Sequence, residues 1–175
     1  MTMMPGSAIL EEGFKRLEEL LREQRALYLE LDALVARQRH AVQQADVKDL
    51  MAASAREREL VEAIRLIDER RVELARAIGA EVGMVSEQPL ALSDLLDYSG
   101  PRRPALVAIA DELRKLVVAV KAASGVVRVA TESLSRHMQG IVQTVEAGFN
   151  NAGVYERAGR IANGSPWQTA IDIRS

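Results

Sequence analysis

One stretch of the chain, residues 106–148, constrains the fold most, because one row of positions in steps of three and four stays almost wholly apolar through it. Such steps keep side chains on one face of a helix and form a seam for another helix. No proline interrupts the stretch, so we predict one helix of about 45 residues, roughly 65 Å long at about 1.5 Å per residue. The row consists of Leu106, Ile109, Leu113, Leu116, Val120, Ala123, Val127, Ala130, Leu134 and Ile141.

Two more long helices are predicted before this one. Apolar residues from Leu10 to Val42 keep a helical spacing, and the pattern weakens at a turn where Asp46 or Asp49 is suited to cap a second helix. Because the connection is short, we expect the two helices to form an antiparallel hairpin over residues 8–80. Arg71, at an otherwise apolar step, is expected to reach the edge or to pair with a carboxylate on the first helix.

Prolines and glycines divide the rest of the chain. They are frequent in residues 83–104, which we interpret as a linker with one short helix capped by Ser93. The long helix then covers residues 105–149, and residues 151–175 form a C-terminal tail expected to be mobile when the protein is alone. The tail carries apolar residues that a merely solvating tail lacks, namely Ile161, Trp167 and Ile171.

The composition agrees with a helical bundle. Hydrophobic residues make up 48% of the 175 positions, yet only three tyrosines, two phenylalanines and one tryptophan occur, so the core must be aliphatic. We therefore predict an all-α fold, an elongated antiparallel helical bundle or coiled coil of three long helices in residues 1–150, followed by the mobile tail.

Charge and cysteine content narrow the classes of partner. The net charge of -2 comes from 23 basic and 25 acidic side chains spread along the helices, so we expect no nucleic-acid partner. The chain has no cysteine, which rules out disulfides and thiolate metal sites. Residues 1–10 do not resemble a signal peptide, and Lys121 and Arg128 interrupt the most apolar stretch. We expect a cytoplasmic protein without membrane insertion.

No pattern in the sequence predicts an enzyme. Neither His40 nor His137 has a carboxylate three residues before it, so the Glu-x-x-His pairs of di-iron bundles are missing. No HExxH, GxGxxG or P-loop pattern occurs. We predict no catalytic residue, no metal and no cofactor, and we interpret His137 as an interhelical histidine of the third helix.

The segment from Leu116 to Ala130 is apolar on nearly every face. Two interpretations stay open: the segment is the buried centre of a three-helix bundle, or part of it is an open groove for a partner helix. Residues outside the seam that extend the apolar character are Val117, Val118, Ala119, Ala122, Val126 and Val129.

The order of these parts resembles the FlgN-type flagellar export chaperones over nearly the whole chain. The specific pieces are Leu92-Ser93-Asp94-Leu95-Leu96 in the linker, Leu106 to Leu116 at the start of the last helix, Tyr155-Glu156-Arg157-Ala158-Gly159 in the tail, and Ile171-Asp172-Ile173-Arg174 near its end. The resemblance implies a cytoplasmic chaperone for the helical terminal regions of hook-associated proteins, which form the hook-filament junction. It implies delivery of these clients to the flagellar type III export gate.

This resemblance suggests roles for particular residues. Tyr155, with Gly159, is the candidate contact for the export gate; in the alternative, Tyr155 only attaches the tail to the bundle. We expect the tail to fold onto the client or onto the groove. The client surface is predicted to include Val117, Val120, Val127, Leu134, Ile141, Val145 and Phe149.

Other functions stay open at this stage. The first alternative is a coiled-coil scaffold or homo-oligomer, in which a second copy covers the apolar surplus of the third helix. A peripheral membrane helix comes next, although the polar faces mix both charge signs. The client of a chaperone of this kind is either flagellar or another secretion substrate.

Overall fold

The computed structural model describes residues 5–84 and 88–154, and these are helical apart from short connections. The helices are α1 (Pro5–Gln43), α2 (Val47–Glu81), α3 (Leu92–Leu95) and α4 (Arg103–Val154), with two 3-10 turns at Leu96–Tyr98 and Gly100–Arg102. No strand occurs in these two ranges, so the predicted all-α class is confirmed. The chain divides into two compact units, Met1–Ala130 and Thr131–Ser175.

A three-residue turn joins α1 to α2. Ala45 has a left-handed backbone with φ 52°, and Asp46 caps α2 by accepting a hydrogen bond from the backbone N of Asp49 at 2.9 Å. The capping role predicted for Asp46 is confirmed. The carboxylate of Asp49 also binds Arg37 of α1, whose Nε lies 3.0 Å from Oδ1, so the turn is held by side chains from both helices.

The end of α2 is fixed by two glycines. Gly83 has φ +78° and follows the last helical turn, where a left-handed residue ends a helix without steric strain. Gly79 lies against the linker: a Cβ at this position would stand 2.1 Å from Cδ1 of Leu90. A larger residue at Gly79 would therefore displace Leu90 from α2.

The long helices pack through two clusters of buried aliphatic side chains. Phe14, in the first cluster, is the only aromatic residue among the buried members of the two clusters. The first cluster joins four helices and contains Phe14, Leu17, Leu21, Ala75, Ile78, Leu95, Leu106 and Leu113. The second joins α1, α2 and α4 and contains Leu31, Leu34, Val35, Ala53, Leu60, Val120 and Val127.

Two buried polar residues of α1 have partners on other elements. Gln38 donates from Nε2 to Oε2 of Glu57 at 2.6 Å and to Oγ of Ser54 at 3.4 Å, both on α2. Glu18 is nearly buried and binds Arg102, with 2.9 Å between Oε2 and Nη1. This ion pair attaches the segment just before α4 to α1.

Two details differ from the sequence predictions. Of the two alternatives for Arg71, pairing with a carboxylate on α1 is wrong: Arg71 pairs with Asp68 at 2.8 Å, three residues earlier on its own helix. Ser93 does not cap α3: the N-cap is Ala91, whose backbone N donates to Asp94 at 2.9 Å. In both cases the hydrogen-bond partner is an aspartate three residues away in the sequence: Asp68 for the Arg71 side chain and Asp94 for the Ala91 backbone N.

Candidate protein-binding surface

In the first unit, one face of α4 is interior. Leu106, Leu113, Val120 and Val127 recur every seven residues and are all buried, with exposed fractions of 4% for Val120 and 6% for Val127. The second cluster surrounds these two valines with aliphatic side chains of α1 and α2. Here the heptad spacing therefore builds the core.

In the second unit, the same spacing continues along α4 without burial. Leu134 is half-buried, whereas Ile141 and Val145 are each 50% exposed. Met138 and Val142 are exposed to a similar extent. We call these five residues the distal row: each lies three or four positions from another member, and Ile141 and Val142 are adjacent, so the row covers one helical face about two residues wide. An apolar row of this length on one helix is suited to pairing with another helix.

A shallow depression of about 480 Å³ lies along this part of α4. Arg136, His137, Gly140 and Thr144 line it together with distal-row side chains. Nothing lies within 4 Å of a Cβ built on Gly140, so the backbone is open at this point. Thr144 donates its hydroxyl to the carbonyl oxygen of Gly140 at 2.8 Å, which satisfies that hydroxyl within the helix. The depression can receive a side chain from a partner helix, as a hole receives a knob.

The residues predicted to bind a client fall into four groups. Val120 and Val127 lie in the core and have almost no surface for a partner. Val117 and Leu134 are half-buried, and Ile141 and Val145 are exposed. The remaining sequence-predicted site residues have side chains outside the described part of the structure: Phe149, Tyr155, Gly159, Ile161, Trp167 and Ile171.

Met138 and Val142 belong to the distal row but were missed by the sequence analysis. Met138 lies four residues after Leu134, and Val142 follows Ile141 and precedes Val145 by three. The helical spacing of apolar residues in the sequence therefore already indicated Met138 and Val142. The predicted set passed from Leu134 directly to Ile141 and Val145, whereas the exposed face is two residues wide and includes Met138 and Val142 as well.

The described ranges give no chemical site of another kind. They contain no group of three or more histidine, cysteine, aspartate or glutamate residues placed to hold a metal ion. His40 and His137 are both exposed, so the predicted interhelical contact of His137 is absent between described helices. Among the helices of residues 5–84 and 88–154, none is sufficiently long and apolar to cross a membrane.

Fold and surface together define an all-helical protein with an exposed row of apolar residues on one helix. A family model described as FlgN protein matches residues 3–163, and the chain belongs to this family of chaperones in flagellar assembly. No match to the chain was found among curated proteins or solved structures. The resemblance inferred from the sequence is thus confirmed at the level of the family.

Proposed function

We propose that the protein is a cytoplasmic export chaperone for hook-associated proteins of the hook-filament junction. In this proposal it binds their helical terminal regions and delivers them to the flagellar type III export gate. Family membership supports the chaperone role. The distal row supports the mode of binding, because an exposed apolar helical face is suited to a client segment that is itself amphipathic.

We also propose that α1, α2 and α4 form an antiparallel bundle. The members of the two core clusters support this order: Phe14, near the start of α1, shares a cluster with Ile78, near the end of α2. Leu34, near the end of α1, shares the other cluster with Ala53, near the start of α2. In the proposed complex, the client helix packs against the distal row of α4.

The observation that carries the proposal is the contrast in exposure along α4. Burying the exposed half of Met138, Ile141, Val142 and Val145 contributes about 1 kcal/mol per residue, or roughly 4 kcal/mol in all. Ordering a disordered client segment costs about 2–5 kcal/mol. The apolar face of the client adds a contribution similar to that of α4. Burial on the two faces therefore offsets the cost of ordering the client, and the proposed complex involves no nucleotide.

Contact with the export gate is proposed for the tail, around Tyr155 and Gly159. A tyrosine supplies a large amphipathic contact with little side-chain entropy to lose. A chain truncated after Asn151 should still bind client but should no longer bind the gate. If the truncated chain instead loses its helical fold, Tyr155 attaches the tail to the bundle and the gate contact lies elsewhere.

The client-binding proposal is tested with two matched double variants. Ile141→Gln with Val145→Gln changes the distal row, and Leu29→Gln with Val61→Gln changes two apolar residues of α1 and α2 that are 47% and 52% exposed. Each purified chain is mixed with the terminal helical segments of a hook-filament junction protein. Gel filtration with light scattering gives the mass of the complex, and circular dichroism gives its helicity.

We expect the distal-row variant to lose the complex and the control variant to keep it, with added helicity on binding. Both variants should remain as helical as the wild-type chain, because all four positions are about half exposed. Equal binding by both variants would place the client elsewhere. No complex with the wild-type chain would count against hook-filament junction proteins as clients.

A further inference from the structure

A second apolar row lies on α4 within the first unit. Val118 is 64% exposed and Val129 is 56% exposed. Val118 precedes the buried Val127 by nine residues, which is about half a revolution at 3.6 residues per turn, so this row lies opposite the core face of the helix. Its positions advance in steps of four and three, the spacing of a helix-pairing seam. We call it the outer row, and it consists of Val118, Ala122, Gly125 and Val129.

Two lysines flank Val118 in this row. Lys115 and Lys121 lie three residues before and three residues after it, and both are exposed. Three residues turn a helix by about 300°, so the two lysines stand on opposite sides of Val118. Among the described residues, neither lysine has an ion pair. Both ammonium groups can therefore receive a carboxylate from outside the chain.

The edge of the outer row that carries Lys121 is basic along its length. Arg114, Lys121 and Arg128 are exposed and spaced seven residues apart, which places them on one line along the helix. In paired helices such flanking positions hold the charges that decide which partner is accepted. Arg114 is paired with Asp111 at 2.6 Å, and Arg128 has a partner as well. Lys121 is thus the residue of this edge best placed to form a new ion pair.

The other edge of the outer row carries one charge. Glu112, Ala119 and Val126 follow it at the same seven-residue spacing, and Val126 is 60% exposed. Glu112 binds Arg25 of α1, with 2.6 Å between Oε2 and Nε, so its carboxylate has a partner within the chain. The outer row is therefore an apolar surface with positive charge on one edge and apolar side chains on the other.

We propose that the outer row binds a helix of another protein whose own apolar row is flanked by acidic residues. Carboxylates of the partner would lie opposite Lys115 and Lys121, and its apolar side chains would pack on Val118, Val126 and Val129. This surface lies wholly within the first unit and does not include the distal row. The proposal therefore stands or falls independently of the proposed client complex.

Charge disfavours a second copy of the chain as the partner. In an antiparallel pair of helices the same edges of the two rows meet, so arginine and lysine would face arginine and lysine, which is destabilising. In a parallel pair the basic edge meets the opposite edge of the other copy. That edge has Glu112 as its carboxylate, and Glu112 already binds Arg25. An acidic helix of different sequence satisfies the lysines in a way that a second copy does not.

The side chains of the outer row are suited to a helix rather than to a lipid surface. Helices that lie on membranes insert tryptophan, phenylalanine or leucine, whereas this row has valines and small residues. Ala122 is exposed, and nothing lies within 4 Å of a Cβ built on Gly125. A second helix can therefore bring its backbone close at this point and contact the neighbouring valines.

Two synthetic helices test the proposal with the full chain. Both have three heptads with leucine and alanine in the apolar row; one has glutamate at the flanking positions and the other has glutamine. Fluorescence anisotropy of the labelled peptides at low salt gives the two dissociation constants. We expect the acidic peptide to bind at least about fivefold more tightly, because two exposed ion pairs form. This difference should disappear at about 0.5 M salt, where exposed charges are screened.

A charge reversal at Lys121 tests the ion pair directly. Lys121→Glu should weaken binding of the acidic peptide about fivefold, because an attraction becomes a repulsion. The residues three and four positions away are uncharged, so the change adds no repulsion within the helix. A third peptide with lysine at the flanking positions should bind this variant more tightly than it binds the wild-type chain. The matched control is Lys48→Glu, at an exposed lysine of α2, which should leave all three affinities unchanged.

Two double variants locate the binding surface. Val118→Gln with Val129→Gln should abolish binding of the acidic peptide, because both valines are removed from the outer row. Ile141→Gln with Val145→Gln, the distal-row variant, should bind the acidic peptide as the wild-type chain does. Circular dichroism should show that both variants remain helical, since all four side chains are at least half exposed.

Three results would overturn the proposal. The first is equal affinity for the acidic and neutral peptides at low salt. The second is binding that the distal-row variant loses and the outer-row variant keeps. The third is absence of peptide binding while the chain floats with vesicles of phosphatidylcholine and phosphatidylserine, which would make the outer row a membrane surface. None of these results decides whether a client binds, because the client test uses junction-protein segments and the distal row.

Discussion

The same substitution at two positions of α4 should separate folding from binding. Val120 is 4% exposed and Val145 is 50% exposed, and both were predicted from the sequence to contact the client. Val120→Ala should lower the free energy of unfolding and leave client affinity unchanged. Val145→Ala should weaken client binding and leave the free energy of unfolding nearly unchanged.

The magnitudes follow from burial. Val→Ala removes two methyl groups, about 1.6 kcal/mol of transfer free energy when fully buried, and the cavity adds roughly 1 kcal/mol. Alanine regains about 0.5 kcal/mol in helix propensity, so Val120→Ala should destabilise by about 2 kcal/mol. At Val145 the loss of about 0.8 kcal/mol nearly cancels the gain in propensity, and the unfolding free energy should change by less than about 0.5 kcal/mol. The client loses this contact, which weakens binding about fourfold.

Urea unfolding followed by circular dichroism measures the first quantity, with an unchanged m-value as the check that only stability differs. Isothermal titration with the client segment measures the second, at a temperature where both variants are folded. The reasoning is refuted if Val120→Ala weakens binding as much as Val145→Ala does. Equal losses of stability would refute it as well.

Two further predictions concern ion pairs of α1. Glu18→Ala should lower the free energy of unfolding by about 2 kcal/mol in urea titrations, because the half-buried Arg102 loses its partner; Arg22→Ala, at an exposed side chain, should change it little. The hydrogen bond from Arg37 lowers the pKa of Asp49 below its ordinary value of 3.8. The pair therefore stabilises the fold at pH values above 3.8, and this stabilisation is lost as the pH falls through the lowered pKa of Asp49. The stability difference between wild type and Asp49→Asn should therefore be present at neutral pH and vanish in strong acid; a difference that persists there would contradict the assignment.

Much of the fold follows from local spacing in the sequence. Leu106, Leu113, Val120 and Val127 belong to the row of three- and four-residue steps that was predicted as a helix-pairing seam, and the cap at Asp46 was predicted from its place before an apolar pattern. The cap depends on residues that are close in sequence, and the row depends on residues that share one face of a single helix. Heptads and caps are physical rules of this kind.

The end of burial along α4 was not predictable in the same way. The repeat continues through Leu134 and Ile141 without any change in residue type, although Ile141 is exposed. Whether an apolar face is covered depends on how much of the other helices is available. Within the first unit, side chains of α1 and α2 bury α4 at Val120 and Val127, and this information lies in the other helices rather than in the repeat of α4.

The buried amide of Gln38 has a consequence for how the helices find one alignment. In a protein built from heptads, sliding α1 by seven residues against α2 would keep most aliphatic contacts, so several alignments would be close in energy. Such a slip would separate Gln38 from Ser54 and Glu57, which accept its hydrogen bonds, and would leave an unpaired amide in an aliphatic environment at a cost of about 1–3 kcal/mol. One polar side chain thus makes the misaligned hairpins less stable than the native one, and α4 meets a single arrangement of α1 and α2.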